Sequence, residues 1–197
     1  SPVRKLYDYA QDHLLKDLPL VYILTVTTAG AQGINIHGLF IGEDRKAFAE
    51  AVALSQEKNI FHVDKPFDKV VVWLDPEEFH STWVGNKAIY RTRMAIADGG
   101  ELIILAQGVD KFGEDGEISE LIERYGYTGR EHIIQLTQEN KELQENLSAA
   151  AHLIHGSSDD RFTITYCTEA LNEEQIRNVG FNYWPYAKAA ERYLPES

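Results

Sequence analysis

Three short apolar runs constrain this chain more than any other feature. Lys69–Leu74 (KVVVWL), Glu101–Ala106 (ELIILA) and Arg161–Cys167 (RFTITYC) are nearly unbroken in apolar or β-branched residues, the pattern of strands covered on both faces. The segments between them carry helical spacing. Trp83–Ala97 reads as a helix stopped by Asp98-Gly99-Gly100, with glycine as a left-handed cap. Helices are expected from about Ile118 to Tyr125 and from about Arg130 to His155, the second broken once. Strands that alternate with helices imply right-handed crossovers and a mainly parallel sheet.

Either side of this region the pattern changes. Val3–Lys16 has helical spacing, Leu20–Thr28 and Ile34–Ile41 read as strands joined by a glycine-bearing turn, and Gly42-Glu43-Asp44 opens a helix to about Glu57. After the third apolar run come a short helix at Asn172–Asn178, an extended Phe181–Trp184 and a last helix, Pro185–Tyr193, with proline in its first turn. The expected fold is a three-layer, Rossmann-like α/β architecture: a mainly parallel sheet, helices on both faces and an N-terminal β-hairpin extending or flanking it. Residues 1–197 are expected to form one compact α/β domain. The chain starts at Ser1-Pro2 rather than Met and is expected to be part of a longer protein.

Charge narrows the range of ligands. Thirty-one acidic against 19 basic residues leave a net charge of −12 and a pI near 5.0, which argues against nucleic acid as a partner. An anionic small molecule would need a local cationic pocket. No run approaches the roughly 20 apolar residues of a membrane span, so no membrane partner is expected. The single cysteine, Cys167, permits no internal disulfide and no cysteine-based zinc cluster. A cytoplasmic location is expected.

In open α/β sheets ligands bind beyond the C-terminal ends of the strands, and two loops leave such ends with polar residues. Asp75–Trp83 (DPEEFHSTW) leads into the helix bearing Asn86, Lys87 and Arg91. Lys87 and Arg91 are four apart and share a helix face. Two cations beside the free N–H groups of a helix start suit a carboxylate; the alternative is a solvated basic face. Trp83 and Met94 read as packing residues on spacing alone. The second loop, Gln107–Gly116 (QGVDKFGEDG), has three glycines but neither GxGxxG nor a P-loop lysine, so it reads as a mobile connector. His152 and His155 have a spacing that metals use, but no Glu or Cys completes a ligand set, and they read as ordinary histidines. Cys167 reads as a small buried hydrophobe, and Glu139, Glu142 and Glu145 as a solvated helix face.

The ordered series around Lys87 resembles a known family. Gly85-Asn86-Lys87-Ala88-Ile89, then Met94-Ala95-Ile96-Ala97-Asp98-Gly99-Gly100 and Glu101–Ala106, are similar to the C-terminal domain of the nickel-dependent lactate racemases. In that family a lysine begins a helix that ends in Gly-Gly before an apolar strand. Upstream, Gly42-Glu43-Asp44 with Ala47 and Ala51, followed by Lys69–Leu74, looks like the family's hairpin, helix and central strand. The resemblance runs from Pro2 to about Gly180.

It implies one domain of a two-domain 2-hydroxy-acid racemase or epimerase, an isomerase that abstracts and returns a hydride at the substrate α-carbon. The implied cofactor is a nickel pincer nucleotide, held by the N-terminal domain of the same parent protein, with no metal or cofactor ligands in this chain. The resemblance makes Lys87 the catalytic candidate of this domain, a fixed ammonium near the substrate carboxylate or hydroxyl. His80, Thr82, Trp83, Asn86, Arg91 and His152 are the candidate substrate-binding residues. The isolated chain is expected to be inactive. Where the lactate enzymes carry a glutamine three residues before the lysine, this chain has Val84; an upstream aspartate is Phe79, and a tryptophan of the later helix is Ser148. With the hydrogen-bonding groups near Lys87, these departures point to a polyhydroxylated substrate, such as the aldonate mannonate or a uronate-derived sugar acid. The alternative is a non-catalytic Rossmann-like module that binds an acidic metabolite or a protein.

Overall fold

The structure, a computed structural model, describes residues 2–31 and 33–194. The chain divides into two compact units, Ser1–His62 and Val63–Ser197, where the sequence suggested one. The hairpin closes its ladder on itself and forms a two-stranded sheet separate from the four-stranded one.

In the first unit, helix α1 (Pro2–Tyr9) runs into a π-helical turn, Ala10–Leu14, ahead of strands β1 (Tyr22–Gly30) and β2 (Gly33–Gly42) and helix α2 (Arg45–Asn59). Asp44 caps α2, its side chain accepting from the Lys46 N–H at 2.9 Å. A bulge follows Val26. Helix α2 packs through Ala47 and Ala51, and Leu54 lies so close to Gly38 that a Cβ there would meet it at 2.6 Å. On the opposite face of the hairpin Ile23, Ile34, Ile36, Leu39 and Ile41 are exposed.

The second unit holds β3 (Phe67–Trp73), β4 (Ile96–Leu105), β5 (Phe162–Cys167) and β6 (Asn182–Tyr183), all parallel and adjacent in chain order. Between β3 and β4 run α3 (Thr82–Gly85) and α4 (Lys87–Thr92). Between β4 and β5 run α5 (Gly116–Tyr125), α6 (Arg130–Glu139), α7 (Lys141–Glu145) and α8 (Leu147–His155), and α9 (Glu173–Asn178) precedes β6. Leu102, Ile104, Ile164 and Tyr166 point to one face, where Ile89, Ile122, Leu153 and Ile176 of these helices cover them. Ile103, Leu105 and Cys167 point to the other, under Tyr186 and Ala189 of α10 (Tyr186–Tyr193). The expected α/β fold, with a parallel sheet, helices on both faces and an N-terminal hairpin, is the observed one. Each fully buried aliphatic side chain contributes about 1.5–3 kcal/mol.

Two local expectations change. Gly99-Gly100 does not end a helix. Helix α4 stops at Thr92, and the glycines lie inside β4, which advances from Ile96 to Glu101 while β3 advances only from Phe67 to Lys69. Gly99 takes φ +80°, and a Cβ on Gly100 would meet the Asp68 carbonyl oxygen at 2.9 Å, so this bulge requires both. The Arg130–His155 segment breaks twice, at Asn140 and Asn146. The Asn146 side chain accepts from the Ala149 N–H at 3.1 Å and caps α8.

Sheet order also moves the expected site. With neighbours in chain order, right-handed crossovers all fall on one face. No two adjacent crossovers diverge, so there is no switch point to open a crevice at the strand ends. The concave surface near Lys87 lies instead among the helices of the crossover face.

Candidate functional site

The α3–α4 segment is fixed before any ligand is considered. The Thr82 and Trp83 N–H groups donate to the carbonyls of Lys111 and Phe112 at 3.0 and 2.9 Å, and the Val84 N–H donates to Ser81 Oγ at 3.3 Å. The first-turn donors expected for a carboxylate are therefore already used. Ser81 Oγ in turn donates to the Glu114 carboxylate. Asn86 joins the two short helices in a near-helical conformation, φ −67° and ψ −3°, so residues 83, 87 and 90 share a face.

That face borders an open cleft of about 940 Å³. Trp83, Lys87 and Tyr90 line one side, and Ser148, His152 and His155 of α8 line the other. Both triplets are spaced i, i+4, i+7, so their side chains meet in rungs. The Trp83 and His152 rings stack at 4.3 Å with 29° between planes, and Tyr90 meets His155 edge-on at 6.3 Å. Lys87 falls between the rungs. Two cations border the cleft, and Arg93 is paired with Asp159 at 3.0 Å. Lys87 is half-buried and makes no ion pair or side-chain hydrogen bond among the described residues. It is therefore free to meet an anion.

Behind the Trp83–His152 rung lies a buried polar network. Thr82 Oγ1 lies 2.9 Å from the Phe112 carbonyl and 2.9 Å from Tyr127 Oη, and Tyr127 Oη lies 2.9 Å from His152 Nε2. Tyr166 donates to Asn86 Oδ1 at 3.1 Å, while Asn86 Nδ2 has no hydrogen-bond partner among the described residues. Gly156 lets the Tyr127 ring approach: a Cβ there would meet that ring at 2.5 Å and Asn86 Nδ2 at 2.7 Å. Burial raises the pKa of Tyr127 and Tyr166 and keeps both phenols protonated. Burial first, and the neighbouring His155 second, pull His152 down to about 4, so its imidazole is neutral at pH 7. Burial pushes the Cys167 thiol up to about 12, which leaves it unreactive.

Of the residues named from sequence, Lys87, Trp83 and His152 line the cleft. Thr82 and Asn86 are buried and hold the network together. His80 and Arg91 are exposed and do not border the cleft; the His80 ring contacts the Glu77 carbonyl at 3.2 Å. Arg91 lies one position past Tyr90, which turns it off the lining face although it is four residues from Lys87. Tyr90, Glu114, Ser148, His155 and Tyr127 were not proposed for the site. The matching 83/87/90 and 148/152/155 spacings were a readable signal for three of these positions, Tyr90, Ser148 and His155. Tyr127 reaches the site from a loop and left none; Glu114 lies in the Gln107–Gly116 loop, which reads from sequence as a mobile connector.

Among the described residues no group of three His, Cys, Asp or Glu could hold a metal ion. A second hollow, of about 360 Å³, lies in the first unit beside Tyr7, Tyr22 and Phe48. Of the two guanidiniums that line it, Arg45 is engaged by Asp12 at 2.6 Å and Arg4 lies 3.6 Å from Asp8. No helix is long and apolar enough to cross a membrane among the described residues.

No family model and no curated protein matches the sequence. Solved structures do. A crystal structure of a protein from Thermotoga maritima aligns over 100% of this chain and 50% of its own, at a TM-score of 0.79 and 20% identity. Lactate racemase apoprotein from Thermoanaerobacterium thermosaccharolyticum aligns over 86% of this chain and 40% of its own, at a TM-score of 0.62 and 16% identity. The chain thus spans half or less of the proteins it resembles. At these identities the likeness is one of fold, and that fold is lactate-racemase-like.

Proposed function

We propose that this chain is the substrate-pocket domain of a 2-hydroxy-acid racemase or epimerase, with Lys87 binding the substrate carboxylate. The observation that carries the reading is an unpaired ammonium in a cleft walled by Trp83, Tyr90 and an uncharged His152. An apolar wall strengthens the attraction between ammonium and carboxylate by excluding water. A charge-assisted hydrogen bond of this kind contributes about 1.5–3 kcal/mol. The lactate-racemase-like fold supports the same reading.

The share of this chain in the reaction is to bind and orient the acid. The residues described do not form a metal-binding group, so a nickel pincer nucleotide does not fit within them. Such a group would belong to the N-terminal domain of the parent protein. A sugar acid such as mannonate suits the cleft better than lactate. Its hydroxyls would face Glu114, Ser148 and His155, and its C–H face would lie on an aromatic wall. These lining groups replace His80, Thr82, Asn86 and Arg91 as the polar contacts.

The test uses the parent protein loaded with cofactor and a panel of lactate, mannonate and related aldonates. Mannonate should turn over, and Lys87→Ala should lower kcat/KM about 10–100-fold with little change in melting temperature. Turnover of lactate but of no aldonate would remove the sugar-acid reading. A collapse in melting temperature on Lys87→Ala would make the lysine structural. The isolated chain should be inert in the same assay.

A further inference from the structure

We propose that His152 presents a fixed lone-pair acceptor, Nδ1, to the cleft, and that this atom selects a ligand able to donate a hydroxyl hydrogen. The inference comes from counting protons along the buried network. The Phe112 carbonyl can only accept, so Thr82, 2.9 Å away, must give it its single hydroxyl hydrogen. Thr82 Oγ1 can then only accept from Tyr127, also at 2.9 Å. Tyr127 has one hydroxyl hydrogen, now spent on Thr82, so its oxygen must accept from His152 Nε2 at 2.9 Å. The opposite assignment sets lone pair against lone pair at the Thr82–Phe112 contact.

The neutral ring therefore carries its proton on Nε2, and Nδ1 keeps its lone pair. Nδ1 has no hydrogen-bond partner among the described residues and is not among their buried unpaired atoms. It belongs to a residue that lines the cleft. The stack on Trp83 holds the ring plane, and the pKa near 4 keeps the lone pair free at neutral pH.

The consequence for binding rests on the hydroxy-acid reading above. With the carboxylate on Lys87, an acid that brings a hydroxyl to His152 completes both contacts. A 2-deoxy acid leaves Nδ1 unpaired, and a 2-keto acid brings a second acceptor against it. A site built to pair with a hydroxyl rejects such analogues.

Two measurements on the 197-residue chain test this. Nitrogen NMR of the histidine side chains reads the tautomer directly, because protonated and lone-pair nitrogens resonate far apart. His152 should carry its proton on Nε2 at pH 7, and Tyr127→Phe should let the tautomers mix. A proton on Nδ1 overturns the proposal. Titrations with mannonate and its 2-deoxy and 2-keto counterparts should show mannonate bound about tenfold tighter than either. His152→Phe keeps an aromatic ring at the stack and should erase that preference; a preference that survives it overturns the selecting role. If none of the three acids binds, the Lys87 reading fails, and the tautomer alone upholds or overturns the acceptor.

Discussion

The two rungs of the cleft pair the same kinds of residue at the same helical offsets, yet they differ chemically. Trp83 and His152 stack closely, and His152 is held at its far edge by Tyr127. Tyr90 and His155 touch only edge-on at 6.3 Å, and Tyr90 is 43% exposed. One histidine is a half-buried, neutral, oriented acceptor. The other is a ring at the rim. Spacing brings each pair together, but a third partner from a distant loop decides which pair is rigid.

The largest expected effect separates the rungs by pH. The His152 pKa in the folded chain, about 4, lies below the ordinary 6.5. Between those values the unfolded chain binds more protons, so stability falls as pH falls. The contribution of His152 is complete above pH 6.5 and is lost as pH drops toward 4, in all about 3 kcal/mol. Denaturant midpoints at pH 7 and pH 4.5 should converge in His152→Phe relative to the parent chain. An unchanged pH slope would put the two histidines in the same class.

A smaller effect is expected at Gly156. Alanine there would press on the Tyr127 ring and on Asn86, at a cost of about 1–3 kcal/mol by urea unfolding. It should also move the His152 side-chain resonances while leaving those of His155 in place. The smallest effect belongs to the open rung. His155→Ala should change stability by no more than about 0.5 kcal/mol. A larger loss would show that the outer rung shares in the packing.

Much of this fold was legible in the sequence. The three apolar runs became β3, β4 and β5; β4 and β5 are covered on both faces, as strands with few polar residues should be, whereas β3 is an edge strand whose Val71 and Trp73 stay exposed. The sequence pointed to one break in the Arg130–His155 segment; the structure has two, at Asn140 and Asn146, where asparagine competes for the backbone at helix ends. The Gly99-Gly100 bulge was hidden: the same dipeptide serves a helix cap or a strand irregularity, and only pairing with β3 distinguishes them. At the site, Lys87, Trp83 and His152 could be named from sequence. Thr82 and Asn86 have the chemistry of ligand contacts, but their partners, Tyr127 and Tyr166, are 45 and 80 residues away.

Sequence alone determined the parallel α/β layer and a lysine near the start of the helical segment that follows its first strand. Those features follow from local periodicity and from which residues can tolerate burial. The tertiary structure decided that the hairpin makes its own sheet, that the crossovers share one face, and that the cleft opens between helices. It also decided which histidine nitrogen keeps its lone pair. A hydrogen bond chain assigns each proton by exclusion, and that assignment exists only once Phe112, Thr82, Tyr127 and His152 are brought within 3 Å of one another in sequence along the chain.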